Sequence, residues 1–361
     1  MIRKKKILIL ASAQFGYSTT IYKYCEHALE HFEITYIGWD YGLPKIELPE
    51  IEIKYVSRKS NIIIRNIRLL YAFHKQINSG YDLIFANYVR GIALVKVMNN
   101  NAKFILYVDT LGISPNKIKR LIFDWVLSFE LNFFKNIALI SSGISKRIRI
   151  KNYHVLPLGG HCFSKRSKSF QQLSLLYVGT LSNRNILECV KGFHEFIKKN
   201  KDMVSAKPCF SIVGDSPFGE LEEIKKYVRG HKLEAYICTP GFVHSTKLGP
   251  FFDNANIGVA YVPITPYYQY QPPTKTFEYL ISGLPVIATA TYANKEIVSP
   301  KVSELITDDA DAFCGAILKI QKRKNEFESK WIREQYEKYT WRNVVKEKLI
   351  PLIELVLKSK Q

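Results

Sequence analysis

The sequence predicts two α/β domains, each a parallel sheet with helices on both faces, and a ligand-binding cleft between them. Short runs that are apolar on both faces alternate with helical periods along most of the chain, the pattern of strands buried between helices. The alternation pauses at a basic, serine-rich stretch, 163–173, and then begins afresh. A chain of 361 residues, 47% apolar, also fills two cores of ordinary size more naturally than one. Ligands of open parallel sheets sit beyond the carboxyl ends of the strands, so the loops there are where function is expected.

Residues 6–11 follow a lysine-rich start with Ile7, Leu8, Ile9 and Leu10 in succession; the run is too short for a leader and reads as a buried first strand. A loop over 12–18 leads to a helix over 19–29. Residues 32–38 and 51–56 are the next strands. Over 62–77, apolar positions mixed with Arg65, Arg68 and Lys75 suit an amphipathic helix. Strands at 81–86 and 103–108 flank a helical stretch at 89–98, and strands at 137–142 and 153–157 close the first half. Beyond the linker, strands are expected at 174–179, 207–213, 236–241, 256–261, 285–289 and 303–306. Helices fall at 186–199, 219–229, 274–282, 311–323 and most of 330–358. Domain limits of 1–165 and 166–335 follow, with 336–361 as a terminal helix.

Six scattered cysteines without metal-ligand spacing fit a reduced, cytoplasmic chain. Residues 1–170 carry 26 Lys/Arg against 11 Asp/Glu, a net +15 out of +20 for the whole chain. Nucleic acid, an anionic membrane or a phosphorylated substrate would each suit such a surface, as would plain solvated lysines. No dinucleotide or P-loop fingerprint, GxSxG or HExxH is present, which removes the main support for nicotinamide, NTPase, hydrolase and metalloenzyme chemistry.

The phrases that carry chemistry lie at strand ends. Gly16 sits in the first strand-to-helix loop, where backbone N–H groups can meet an anion or a sugar. Val178-Gly179-Thr180-Leu181 and Ile212-Val213-Gly214-Asp215 each end a strand on a glycine, and Gly241-Phe242-Val243 does so again in a third turn. Arg184 follows Gly179, and Lys275 and Glu278 share one helix face. These phrases, with Lys275 through Ala288 and the ending Trp341-Arg342-Asn343-Val344, resemble the retaining family 4 (group 1) glycosyltransferases of the GT-B fold over nearly the whole chain.

The resemblance implies two Rossmann-like domains facing across a cleft, with the C-terminal helix crossing back to the first. It implies a UDP- or GDP-type sugar donor held by the second domain, and no metal. Arg184 and Lys275 would stabilise the leaving diphosphate, Glu278 would hold the ribose, and Gly179, Gly214 and Phe242 would line the nucleotide. A solvated loop arginine and an ordinary surface ion pair are the competing readings of Arg184 and of Lys275 with Glu278. Asp109 ends a first-domain strand and is read either as the group that orients the acceptor or as a helix cap. Two departures stand out: Tyr270 occupies the place of the family's first glutamate, and Thr180 that of its arginine after the strand-one glycine.

The implied acceptor is a lipid-linked saccharide of bacterial surface-polysaccharide synthesis. The protein would then be peripheral on the cytoplasmic face of the inner membrane, with basic-apolar segments at 61–71 and 117–129 meeting anionic lipid. A soluble acceptor is the alternative. A non-catalytic binding protein on the same fold rests on net charge alone, and no nucleic-acid signature supports a nucleic-acid partner.

Overall fold

The computed structural model describes residues 3–200 and 207–359. The chain forms two compact units, Met1–Leu158 with Trp341–Gln361, and Gly159–Thr340.

The first unit is built on a seven-stranded parallel sheet of order β3-β2-β1-β4-β5-β6-β7. Its strands are β1 (Lys5–Leu10), β2 (Phe32–Asp40), β3 (Ile51–Ser57), β4 (Leu83–Asn87), β5 (Phe104–Val108), β6 (Ile137–Leu139) and β7 (His154–Val155). The helices are α1 (Thr19–Ala28), α2 (Ile62–Ile77), α3 (Ile92–Met98), α4 (Lys117–Leu131) and α5 (Ser142–Ile148). Every residue of β4 and β5 is buried, which is why their sequences run apolar without alternation. The chain starts mid-sheet, moves outward through β3, and returns through α2 to β4 on the other side of β1. Right-handed crossovers therefore put α1 on one face and α2, α3 and α4 on the other. In keeping with this, α3 packs between α2 and α4.

The second unit holds a six-stranded parallel sheet of order β10-β9-β8-β11-β12-β13. Its strands are β8 (Ser174–Val178), β9 (Cys209–Val213), β10 (Ile237–Gly241), β11 (Ile257–Ala260), β12 (Val286–Thr289) and β13 (Ser303–Ile306). The helices are α6 (Ile186–Lys199), α7 (Glu220–Gly230), α8 (Gly249–Asn254), α9 (Thr274–Ile281), α10 (Tyr292–Ile297), α11 (Ala310–Lys322) and α12 (Ser329–Tyr336). Phe193, Phe196, Phe210 and Phe313 pack ring to ring where α6 and α11 meet the sheet.

Four local expectations change. The strand expected over 137–142 stops at Leu139, because Ser142 already begins α5. The stretch 163–173 is no free linker but part of the second unit's wall. There Phe163 stacks on Phe252 at 4.6 Å, and Lys168 Nζ donates to the carbonyls of Phe252 at 2.6 Å and Asp253 at 3.1 Å. Burial lowers the Lys168 ammonium to about 8, although the Asp253 charge opposes the shift. The short helices α8 and α10 were not expected at all. The terminal helix is interrupted: after α12 the chain resumes as α13 (Trp341–Val344), a π-helical turn (Val345–Leu349) and α14 (Ile350–Lys358). Pro351 stands in the first turn of α14, where its missing N–H and its ring are accommodated by the wider turn before it.

Candidate functional site

In the second unit three adjacent strands end on glycine. Gly179 N–H donates to the Val213 carbonyl at 3.0 Å, and Gly214 N–H to the Gly241 carbonyl at 2.9 Å. All three have positive φ, +155°, +153° and +80° in chain order. A Cβ on Gly214 would lie 1.8 Å from the Gly179 carbonyl oxygen, so no side chain fits between β8 and β9 at this level. The carboxyl edge of the sheet is consequently bare backbone, open to close approach by a ligand. Phe242, the residue after Gly241, projects into solvent with 74% of its surface exposed.

The loop after Gly179 carries Arg184 between two left-handed asparagines, Asn183 and Asn185, each near φ +55°. Asparagine tolerates that conformation better than most residues. The arginine folds back so that its guanidinium carbon lies 4.4 Å from the centre of the Tyr268 ring. Its Nη1 is buried without a hydrogen-bond partner. Arginine offers donors only, and a buried donor left unpaired costs about 1–3 kcal/mol. An anion placed here would recover that cost. The loop itself is braced by Ser182 Oγ against Ser216 Oγ at 2.9 Å, and by the Ser216 hydroxyl on the Glu220 carboxylate.

Helix α9 is pinned to the same sheet edge. Val178 N–H donates to the Tyr279 hydroxyl at 2.8 Å, one residue before Gly179. Gly258 makes room for the Tyr279 ring, since a Cβ there would come within 2.2 Å of it. On this helix Lys275 Nζ meets Glu278 Oε2 at 2.7 Å. Glu278 is only 6% exposed, so the pair is no surface ornament. Lys275 Nζ also lies 5.9 Å from the centre of the Phe163 ring. Tyr270 packs its ring against Tyr292 of α10 at 5.5 Å.

The structure thus gathers Gly179, Gly214, Phe242, Arg184, Lys275 and Glu278 on the second unit, while Asp109 and Gly16 belong to the first. Sequence reasoning missed the stacking of Arg184 on Tyr268 and the Tyr279 anchor; nothing local in the sequence signals either contact. Gly16 takes φ +87°, and Ile46 covers its Cα, so that a Cβ would lie 2.5 Å from Ile46 Cδ1. Buried Gln14 ties this loop to the one that follows β2, donating to the Leu43 carbonyl at 2.8 Å and accepting from Tyr41 N–H at 2.9 Å.

Asp109 follows β5 and accepts from Asn87 Nδ2 at 3.0 Å. Burial raises its carboxyl above the usual aspartate range, against the lowering effect of the Asn87 bond. A raised folded value means that Asp109 favours folding below the unfolded value of about 4, and that this contribution is lost as pH climbs through the raised value. Asp109→Asn should therefore melt higher than the native chain at pH 7, with the gap closing near pH 4. Equal melting temperatures at pH 7 would mean that the carboxylate is not strained there.

Residues 172–323 match the family model described as glycosyl transferases group 1. No curated protein matches the sequence. Among solved structures, sucrose-phosphate synthase from Thermosynechococcus elongatus superimposes with a TM-score of 0.74 at 16% identity, over 99% of this chain and 100% of its own. Anabaena HepE in complex with UDP and glucose gives 0.73 at 13% identity, over 97% and 100%. The lipopolysaccharide outer core galactosyltransferase WaaB, in its apo form, gives 0.70 at 16% identity, over 97% and 99%.

Proposed function

We propose that this chain, a glycosyltransferase of the GT-B fold with a group 1 domain at residues 172–323, moves a sugar from a nucleoside-diphosphate donor to a lipid-linked saccharide, with retention of configuration. The observation that carries the donor half is the unpartnered Nη1 of Arg184 beside the bare glycine edge of β8 and β9. As the glycosidic bond to the donor breaks, negative charge grows on the departing diphosphate. Arg184 supplies a planar, bidentate cation and Lys275 a point charge to meet it. Glu278, held by Lys275, takes the ribose hydroxyls, and the donor's own phosphate assists the incoming acceptor hydroxyl.

UDP is the first nucleotide to test, since the Anabaena HepE structure holds it. Calorimetry should show UDP binding to the native chain and at least tenfold weaker binding to Glu278→Gln, because the ribose contact exists before any reaction. Equal affinities would return Glu278 to a purely structural pair with Lys275. GDP in place of UDP would change the base assignment and leave the residue roles intact.

The acceptor half rests on the helical face of the first unit. Ile63 and Ile67 of α2, Leu94 and Met98 of α3, and Ile118, Leu121, Ile122 and Trp125 of α4 are all more than half exposed. Soluble surfaces rarely leave so much apolar area in neighbouring helices uncovered. Among the described residues no helix is long and apolar enough to cross a membrane, so a lipid acceptor would be met by lying on the bilayer. Lys117 and Lys119 stand exposed at the start of α4, but Arg120 turns inward and donates from Nη1 to the carbonyls of Ser114 and Pro115. Lys117→Gln/Lys119→Gln, which leaves Arg120 in place, should weaken binding to anionic vesicles. The native chain should float with vesicles containing anionic lipid, less so at high salt, and much less as Leu121→Gln/Trp125→Gln. A chain that stays soluble on strongly anionic vesicles at low salt would transfer the proposal to a soluble acceptor.

A further inference from the structure

The donor residues all lie in the second unit, yet the first unit contains its own cluster of unsatisfied cationic groups. We propose that the carboxyl ends of β2 and β3 form an anion site that receives a phosphate or diphosphate group of the acceptor. The proposal deepens the glycosyl-transfer reading by giving the acceptor a chemical class.

Three side chains meet here. Trp39, near the end of β2, is only 8% exposed. The Arg58 guanidinium lies 4.2 Å from the Tyr41 ring centre and 5.3 Å from that of Trp39, and the Arg65 guanidinium lies 5.7 Å from Trp39. Trp39 Nε1, Arg58 Nε and Arg65 Nε are each buried without a hydrogen-bond partner. Native proteins leave few such groups, and three beside one another call for an explanation. All three are N–H groups that can only donate. The ligand that satisfies three donors and two positive charges at once is an anion with several acceptor oxygens, which a phosphate is.

An open cavity of about 350 Å³ lies over the same strand ends, lined by Asp40, Tyr41, Gly42, Ser57, Arg58 and Lys59, a volume within the range of small-ligand pockets. Asp40 is the one acid in that lining, and its Oδ1 is turned back to accept from Gly42 N–H at 2.7 Å. Against it stand Arg58, Lys59 and Arg65, with Arg68 alongside, bound from Nη1 to the Lys59 carbonyl at 3.1 Å. The balance favours an anion. Helix α2 begins three residues after Lys59, and its first residues, Ile62, Ile63 and Ile64, are exposed. A phosphate carrying an apolar chain would thus find an apolar surface next to its charged end.

Calorimetry with inorganic pyrophosphate tests the site on the full chain. The Arg184→Ala/Lys275→Ala background removes the proposed donor-side cations, so that pyrophosphate reports on the first unit alone. Saturable binding is expected to persist in that background and to weaken at least tenfold on adding Arg58→Gln/Arg65→Gln. Trp39→Phe keeps an aromatic six-membered ring but removes the Nε1 donor together with the rest of the pyrrole half of the indole, and should weaken binding severalfold even if the double arginine variant fails to fold. Pyrophosphate affinity untouched by Trp39→Phe and by the arginine changes would overturn the site and leave the cluster as a structural clip. UDP binding by the native chain is read separately, so a failed donor reading would show there and not here. Two further arms identify the source of the phosphate. Pyrophosphate that displaces the chain from phosphatidylcholine vesicles doped with phosphatidic acid marks a lipid-borne phosphate. Pyrophosphate that binds while leaving vesicle partition unchanged marks a soluble phosphorylated acceptor.

Discussion

Gly214→Ala should lower the melting temperature of the second unit by about 10 °C, roughly 3–5 kcal/mol at a few degrees per kcal/mol. Two costs combine. A non-glycine residue at φ +153° is strained by about 1–3 kcal/mol. The new methyl would also lie 1.8 Å from the Gly179 carbonyl oxygen, and relieving such overpacking costs about 1–3 kcal/mol. Backbone, unlike a flexible side chain, cannot swing aside, so β8 and β9 must part at the edge where the donor is proposed to bind. Gly230→Ala is the matching control, since a Cβ there meets nothing, and it should leave stability within about 1 kcal/mol. A Gly214→Ala chain that melts within 2 °C of the native one, on the order of 1 kcal/mol, would show that the two strand ends are not in contact.

Arg184→Ala and Lys275→Ala should each slow sugar transfer at least tenfold, about 1.4 kcal/mol in the barrier. Removal of a preorganised donor to a developing anion commonly costs more, about 10²–10³. The two act on one leaving group, so the double variant should fall short of the product of the single losses. Lys275→Ala also leaves Glu278 buried without its ion pair, and a broken buried pair can itself cost about 3–5 kcal/mol. Lys275→Ala/Glu278→Gln separates the two effects: it should regain stability without regaining turnover. Turnover that is unchanged in Arg184→Ala, with the fold intact by circular dichroism, would reassign the arginine to holding Tyr268.

Much of the architecture was legible because both sheets are parallel and buried on two faces, which forces apolar runs such as those of β4, β5 and β12. Helices α2 and α6 begin and end where their periodicity does. Legibility failed where contacts join residues far apart in the chain. The segment at 163–173 looks like a linker by composition, yet Lys168 is drawn inward by carbonyls more than 80 residues away. Arg184 reads as a loop arginine until Tyr268 is seen beneath it, and nothing near Trp39 in sequence announces Arg58 or Arg65. The short helices α8 and α10 are too brief for periodicity to show. Within the candidate site, the strand-end glycines were visible as turns. The reason Gly214 must be glycine, the Gly179 carbonyl beside it, was not.

The first unit is interrupted in sequence by the whole of the second: it runs to Leu158 and resumes at Trp341. The resumed piece is not trimming. Trp341 packs edge-on to Tyr24 with ring centres 6.1 Å apart, and Leu349 and Ile353 close a pocket lined by Ile9, Tyr24, Ile34 and Phe85. During synthesis, then, the part of this unit up to Leu158 leaves the ribosome with a gap in its core that Leu349 and Ile353 fill later. The unit made second is complete in sequence first, and the unit begun first waits for the segment that resumes at Trp341. For that interval Tyr24 and Phe85 lie beside a groove without its closing helix, and a chaperone or a neighbouring chain has access to them that the finished protein denies.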